Sequence, residues 1–134
     1  MLTIIPKYDD VVLAVEGQNN NPILSHKEIR CKCNNDFCLS TPISSILIQK
    51  FNNLRLLVGN NPILISSGYR CPAHNRMVGG TPTSKHQHGM AMDMHTPKNL
   101  TLDKFEELAI LAGFSYTKKY KETNVLHCDV RGLE

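Results

Sequence analysis

The chain has 134 residues, the usual size of one domain, and its 41% hydrophobic and 20% charged content excludes wholesale disorder. A net charge of +3, with 6% aromatic residues and no dense basic run, argues against a nucleic-acid-binding surface. No stretch of about eighteen apolar residues occurs, so no membrane span is expected.

Taken in order, residues 11–15 suit a short strand or helical turn. Gly17 to Pro22, with three consecutive asparagines, reads as a loop. Thr41 is a natural N-cap and Pro42 suits a first helical position. Ile43, Ile46, Leu47, Phe51, Leu54 and Leu57 then recur at helical spacing until Gly59, which predicts a core-facing helix from residue 42. After a turn at Asn60 and Asn61, residues 62–68 read as a buried strand. Residues 72–78 suit a short helix started by Pro72 and stopped by Gly79 and Gly80. Over 90–95 the period is two, so Met90, Met92 and Met94 pack on one face while Ala91, Asp93 and His95 share the other. Residues 101–112 form an amphipathic helix capped by Thr101 and ended by Gly113, and 114–117 and 125–130 are final strands. With no internal repeat, the pattern is α+β: a single domain over 1–134, with an antiparallel sheet packed against helices.

Six histidines are present, and spacing must choose among them. Ser84, His86, His88, Gly89 and Asp93 bring a loop histidine close to a strand aspartate, and His127 lies on the last strand with Asp129 two residues on. Catalytic zinc takes three nitrogen or carboxylate ligands and keeps one position open, which two histidines and one aspartate satisfy. His88 and His95 read as neighbours of such a site, and His26 and His74 as solvated or structural groups.

Ser66-Ser-Gly-Tyr-Arg70, His74-Asn75, Gly79-Gly80, the Ser-x-His-x-x-Gly-x-Ala-x-Asp run at 84–93 and His127-x-Asp129 follow one another in order. Together they resemble the zinc D-Ala-D-Ala carboxypeptidases and related phage endolysin peptidases, whose fold is shared with the hedgehog signalling domain. The resemblance covers residues 28–131 and leaves 1–27 as an unmatched N-terminal extension. It implies that His86, Asp93 and His127 are zinc ligands. It implies that Arg70 grips a substrate carboxylate or polarises the scissile carbonyl, for which a planar fork of donors is suited. Ser84 falls where a substrate or supporting hydrogen bond is expected, and Asp129 where a carboxylate orients a ligand imidazole or helps hold substrate.

One position departs from the pattern. Many relatives carry Asp or Glu three residues before the last histidine as general base, and here that residue is Asn124, whose amide takes no proton. Glu122 is the expected substitute as catalytic base, with Asp129 the other candidate. Cys31-x-Cys33-x4-Cys38 is similar to a cysteine-rich stretch preceding the first helix in some relatives, and Cys71 follows Arg70. The one-residue gap between Cys31 and Cys33 is unlike the usual two-residue zinc knuckle, so reduced thiols are the expectation and a second metal the alternative. Cys128 should face away from His127 by strand alternation.

The expected function is zinc-dependent hydrolysis of a peptide bond in peptidoglycan stem or cross-bridge peptides, as a carboxypeptidase or an endopeptidase. The alternative is a catalytically silent zinc-containing domain that binds wall peptides or a protein partner. The expected partner is a peptidoglycan peptide, with no nucleic acid and no membrane, and the expected state is a monomer. The N-terminus lacks the basic region and apolar run of a signal peptide, so synthesis in the cytoplasm and release to the wall, as for a phage lysis enzyme, is the expected route.

Overall fold

The computed structural model describes residues 2–6, 12–13, 24–33, 38, 40–59 and 61–133. The expected loop at Gly17 to Pro22 and Asn60 of the expected turn lie outside them. In chain order the elements are β1 (Leu2–Pro6), β2 (Val12–Leu13), β3 (Leu24–Ser25), α1 (His26–Ile29), β4 (Ser40–Ser44), α2 (Ser45–Leu57), β5 (Ile65–Ser67) and α3 (Pro72–Met77). A 3-10 turn (Lys85–His88) then leads into β6 (Ala91–His95), α4 (Leu102–Ala112), β7 (Tyr116–Tyr120) and β8 (Val125–Asp129). The fold is α+β, built on a four-stranded antiparallel sheet in the order β5-β6-β8-β7.

The period-two reading of 90–95 holds. Met92 and Met94 are fully buried, and they meet Leu126 and Cys128, fully buried on the same face of β8. Two helices cover that face: α2 contributes Leu47, Phe51 and Leu54, and α4 contributes Phe105 and Ala109, all fully buried. Thr101 caps α4 by accepting from the Lys104 amide, and Gly113 ends it in the left-handed region at φ 110°, as expected. The opposite face of the sheet carries Asp93, His127 and Asp129, and it is free of these helices for a site.

The start of α2 differs from the expectation. Residues 40–44 are strand β4, paired antiparallel with β1 so that Pro42 lies opposite Ile4. The helix begins at Ser45, with the Ser44 hydroxyl accepting from the Leu47 amide. Thr41 and Pro42 carry local helix-start signals, but pairing with a segment some forty residues away overrides them. The last hairpin also shifts: β7 begins at Tyr116 rather than at residue 114, because Phe114 is buried at the end of α4.

Candidate metal and peptide site

Four segments converge on Asp93. His86 sits in the 3-10 turn, capped by the Ser84 hydroxyl, which accepts from the His86 amide at 3.2 Å. Gly89 closes that turn at φ 67°, and any β-carbon there would run into the Pro42 carbonyl, so glycine is needed twice over. Asp93 and His127 are cross-strand partners on β6 and β8, which places their side chains on one face. Arg70 comes from the segment after β5. Its Nε donates to Ser67 Oγ (3.0 Å), Nη1 to Asn75 Oδ1 (3.2 Å) and Nη2 to Asp93 Oδ2 (3.2 Å), so the guanidinium is held on three sides.

Both histidines are buried, and each has one ring nitrogen committed outward. His86 Nδ1 donates to the Gly68 carbonyl at 2.7 Å, since a carbonyl only accepts. His127 Nε2 donates to Asp129 Oδ2 at 2.9 Å. The remaining nitrogens, Nε2 of His86 and Nδ1 of His127, face Asp93 Oδ1 at 3.1 and 2.9 Å. Two neutral rings so committed would aim lone pairs at a carboxylate oxygen. The arrangement is satisfied by a second proton on each ring or by a cation shared among the three atoms. The three donor atoms lie within 4.8 Å of one another, and two imidazoles with one carboxylate are the donor chemistry of an open divalent-metal site.

The charges of these groups are set by their contacts with one another. Burial works against ionisation of Asp93, but hydrogen bonds from His127 and then His86 outweigh it and hold the carboxyl well below its usual range. Burial likewise opposes charge on His127, and the carboxylates of Asp129 and Asp93 more than offset it, raising the ring above its usual value. Asp129 has no exposed side-chain surface, yet contacts with His127 and Arg131 overcome its burial and lower it to about 2.

These groups open on a cleft of about 570 Å³ that also takes in Ser84, Tyr116, Lys118, Tyr120 and Arg131. The structure thus brings together His86, Asp93, His127, Arg70 and Ser84 on one cleft, with Asp129 buried behind His127. Glu122 is exposed in the turn after β7 and is not part of the cleft lining. Asn124 lies in that same turn at φ 57°. His88 and His95 are exposed and lie outside the cleft lining, and His95 lines a separate pocket with Leu64 and Pro97.

Sequence reasoning missed the wall that β7 supplies. Tyr116, Lys118 and Tyr120 alternate along the strand and share the face of His127, a period-two signal that could have been read. It also missed Ser67 and Asn75 as Arg70 acceptors, and Arg131, whose Nε and Nη2 donate to Asp129 while its guanidinium lies 3.7 Å from the centre of the Tyr116 ring. These partners lie only two to five residues apart, but no hydrophobic period marks them.

The family model described as Peptidase M15 matches residues 22–129, which include every residue of this convergence except Arg131. A search of curated proteins finds no match to the chain.

Proposed function

The chain belongs to the peptidase M15 family, and from that premise we propose that it is a zinc metallopeptidase cleaving a peptide bond in peptidoglycan stem or cross-bridge peptides. The observation that supports the reading is the meeting of His86 Nε2, His127 Nδ1 and Asp93 Oδ1 at the floor of a cleft. His86, Asp93 and His127 are the residues that would hold the zinc. When bound, zinc supplies Lewis-acid polarisation of the scissile carbonyl and lowers the pKa of an attacking water.

The chain's own residues do the rest. The Gly68 carbonyl and the Asp129 carboxylate fix which nitrogen each imidazole turns inward, so the ligand rings are set before metal arrives. Arg70, already oriented by Ser67 and Asn75, presents a fixed cationic fork beside the reacting centre. Lys118 and Arg131 add positive charge along the cleft, which suits the carboxylates of a wall peptide, and Tyr116 and Tyr120 offer flat surfaces to its backbone. Glu122 is the proposed base, brought to the cleft by movement of its exposed turn. We place the activity at the cell wall, reached by release from the cytoplasm in the manner of a phage lysis enzyme.

One observation favours a second reading. Among the described residues, Asp93 is the single carboxylate lining the cleft, and it is assigned to the metal. A domain that binds wall peptides without cutting them needs no further carboxylate. Metal analysis with mass spectrometry of treated peptidoglycan separates the two. New stem-peptide fragments are expected with the wild type. His86→Ala and His127→Ala should each bind one equivalent of zinc fewer and release no fragments. Undiminished zinc in both variants would remove these ligands, and intact peptidoglycan with zinc-loaded wild type would favour the binding domain.

A further inference from the structure

None of the five cysteines takes part in the site on Asp93, yet four of them form a second cluster. The sulfurs of Cys31, Cys33, Cys38 and Cys71 all lie within 4.8 Å of one another, and none of the five cysteines is in a disulfide. Cys33 and Cys71 Sγ are 3.9 Å apart, far beyond the roughly 2.05 Å of a sulfur–sulfur bond. A tetrahedral centre with metal–sulfur bonds of about 2.3 Å spaces its sulfurs by about 3.8 Å. The observed separations therefore match ligands around one ion better than partners in a bond.

We propose that Cys31, Cys33, Cys38 and Cys71 bind a structural zinc ion as a tetrathiolate centre, separate from the site on Asp93. The one-residue gap between Cys31 and Cys33 departs from a standard knuckle, but the ligand that completes the set comes from 40 positions beyond Cys31, which local spacing does not show. The Cys71 amide donates to Cys31 Sγ at 3.3 Å, a contact that stabilises sulfur carrying negative charge. Four thiolates around a divalent ion leave excess negative charge, and Arg30 and Lys32 flank Cys31 on either side. Soft thiolate donors select zinc over magnesium or calcium, and a set of four leaves no open position for catalysis. Each cysteine binds as a thiolate, so metal loading releases protons.

The location gives the centre a task. It ties the segment after α1 to the turn that carries Gly68, whose carbonyl orients His86, and Arg70, which precedes Cys71. The same turn is anchored by the Tyr69 amide donating to the Ile29 carbonyl at 2.8 Å, and a β-carbon on Gly68 would approach that carbonyl to 2.5 Å. Closing this crosslink holds the back of the cleft in place.

The proposal does not depend on peptidase activity, and cobalt substitution tests it. The full chain, purified anaerobically and stripped of metal, is titrated with Co(II) and then exchanged with Zn(II). Wild type should take two equivalents and show the near-ultraviolet sulfur-to-cobalt charge-transfer band. A His86→Ala/His127→Ala variant should take one equivalent and keep the band. A Cys33→Ser/Cys38→Ser variant should take at most one and lose it. Absence of the band from wild type overturns the proposal, as do disulfides among these four cysteines in the anaerobic chain. Should the serine variant fail to fold, wild type and the histidine variant still decide the matter through the band. Wild type that keeps the band but leaves peptidoglycan intact would sink the peptidase reading alone.

Discussion

Asp129 has both carboxylate oxygens in use. Oδ2 accepts from His127 Nε2 and Arg131 Nη2, and Oδ1 accepts from the Arg131 amide and Nε. A group so engaged positions an imidazole better than it shuttles a proton. Its pKa, lowered to about 2, means its contribution to folding is fully present above the ordinary carboxylate value of about 3.9 and is lost as pH falls toward 2. The gap in Tm between metal-free wild type and Asp129→Asn should therefore be wide at pH 7 and narrow on acidification. A gap independent of pH would show that the carboxylate charge contributes nothing. The same variant should bind zinc at the Asp93 site about 10–100-fold more weakly. Glu122 is tested by Glu122→Gln, which keeps size and polarity but removes the base. A positioned acid–base group contributes about 10²–10⁴-fold in rate, so wall-peptide turnover should drop within that range while zinc content stays unchanged. Unaltered turnover would exclude Glu122.

The backbone of the turn between β7 and β8 suits an asparagine at position 124. Asn124 has φ 57°, in the left-handed region, which asparagine enters more readily than other non-glycine residues. Its carbonyl accepts from both the Thr96 amide and hydroxyl at 3.0 Å, tying the turn to the end of β6. Its identity is thus accounted for by backbone conformation. Asn124→Gly should leave stability nearly unchanged, and Asn124→Ala should lower it by about 1 kcal/mol, measured by denaturant unfolding. Equal loss in both would place the cost in the side chain instead. Gly89 belongs to the same scale: the glycine of the Ser-x-His-x-x-Gly run allows the His86 turn to sit against β4, where the Ser44 amide donates to the Gly89 carbonyl at 2.8 Å.

Across the molecule, the sheet separates stability from chemistry. One face packs Met92, Met94, Leu126 and Cys128 under α2 and α4, and the other carries Asp93 and His127. Phe51 is fully buried in the packed layer, away from the cleft lining. Phe51→Ala should cost about 3–5 kcal/mol of folding stability through lost burial and the cavity left behind. Zinc affinity of the folded fraction, followed by titration below the unfolding transition, should stay at the wild-type value. A matching loss of affinity would show that the core and the site are coupled through the sheet. No helix among the described residues is long and apolar enough to cross a membrane.

The sequence by itself determined what repeats or recurs over short distances. The two-residue period of 90–95 set the core and site faces of β6. Helical spacing and a threonine cap marked α4. These are legible because side-chain direction follows from local backbone geometry. Tertiary structure alone decided what depends on distant segments meeting. The pairing of β4 with β1 displaced a helix start that Thr41 and Pro42 had signalled. The tyrosines and Lys118 of β7 became a cleft wall only by register with His127. Cys71 joined three cysteines far earlier in the chain. In each case the deciding contact lies between residues whose separation along the chain carries no local signal, so only folding could bring it about.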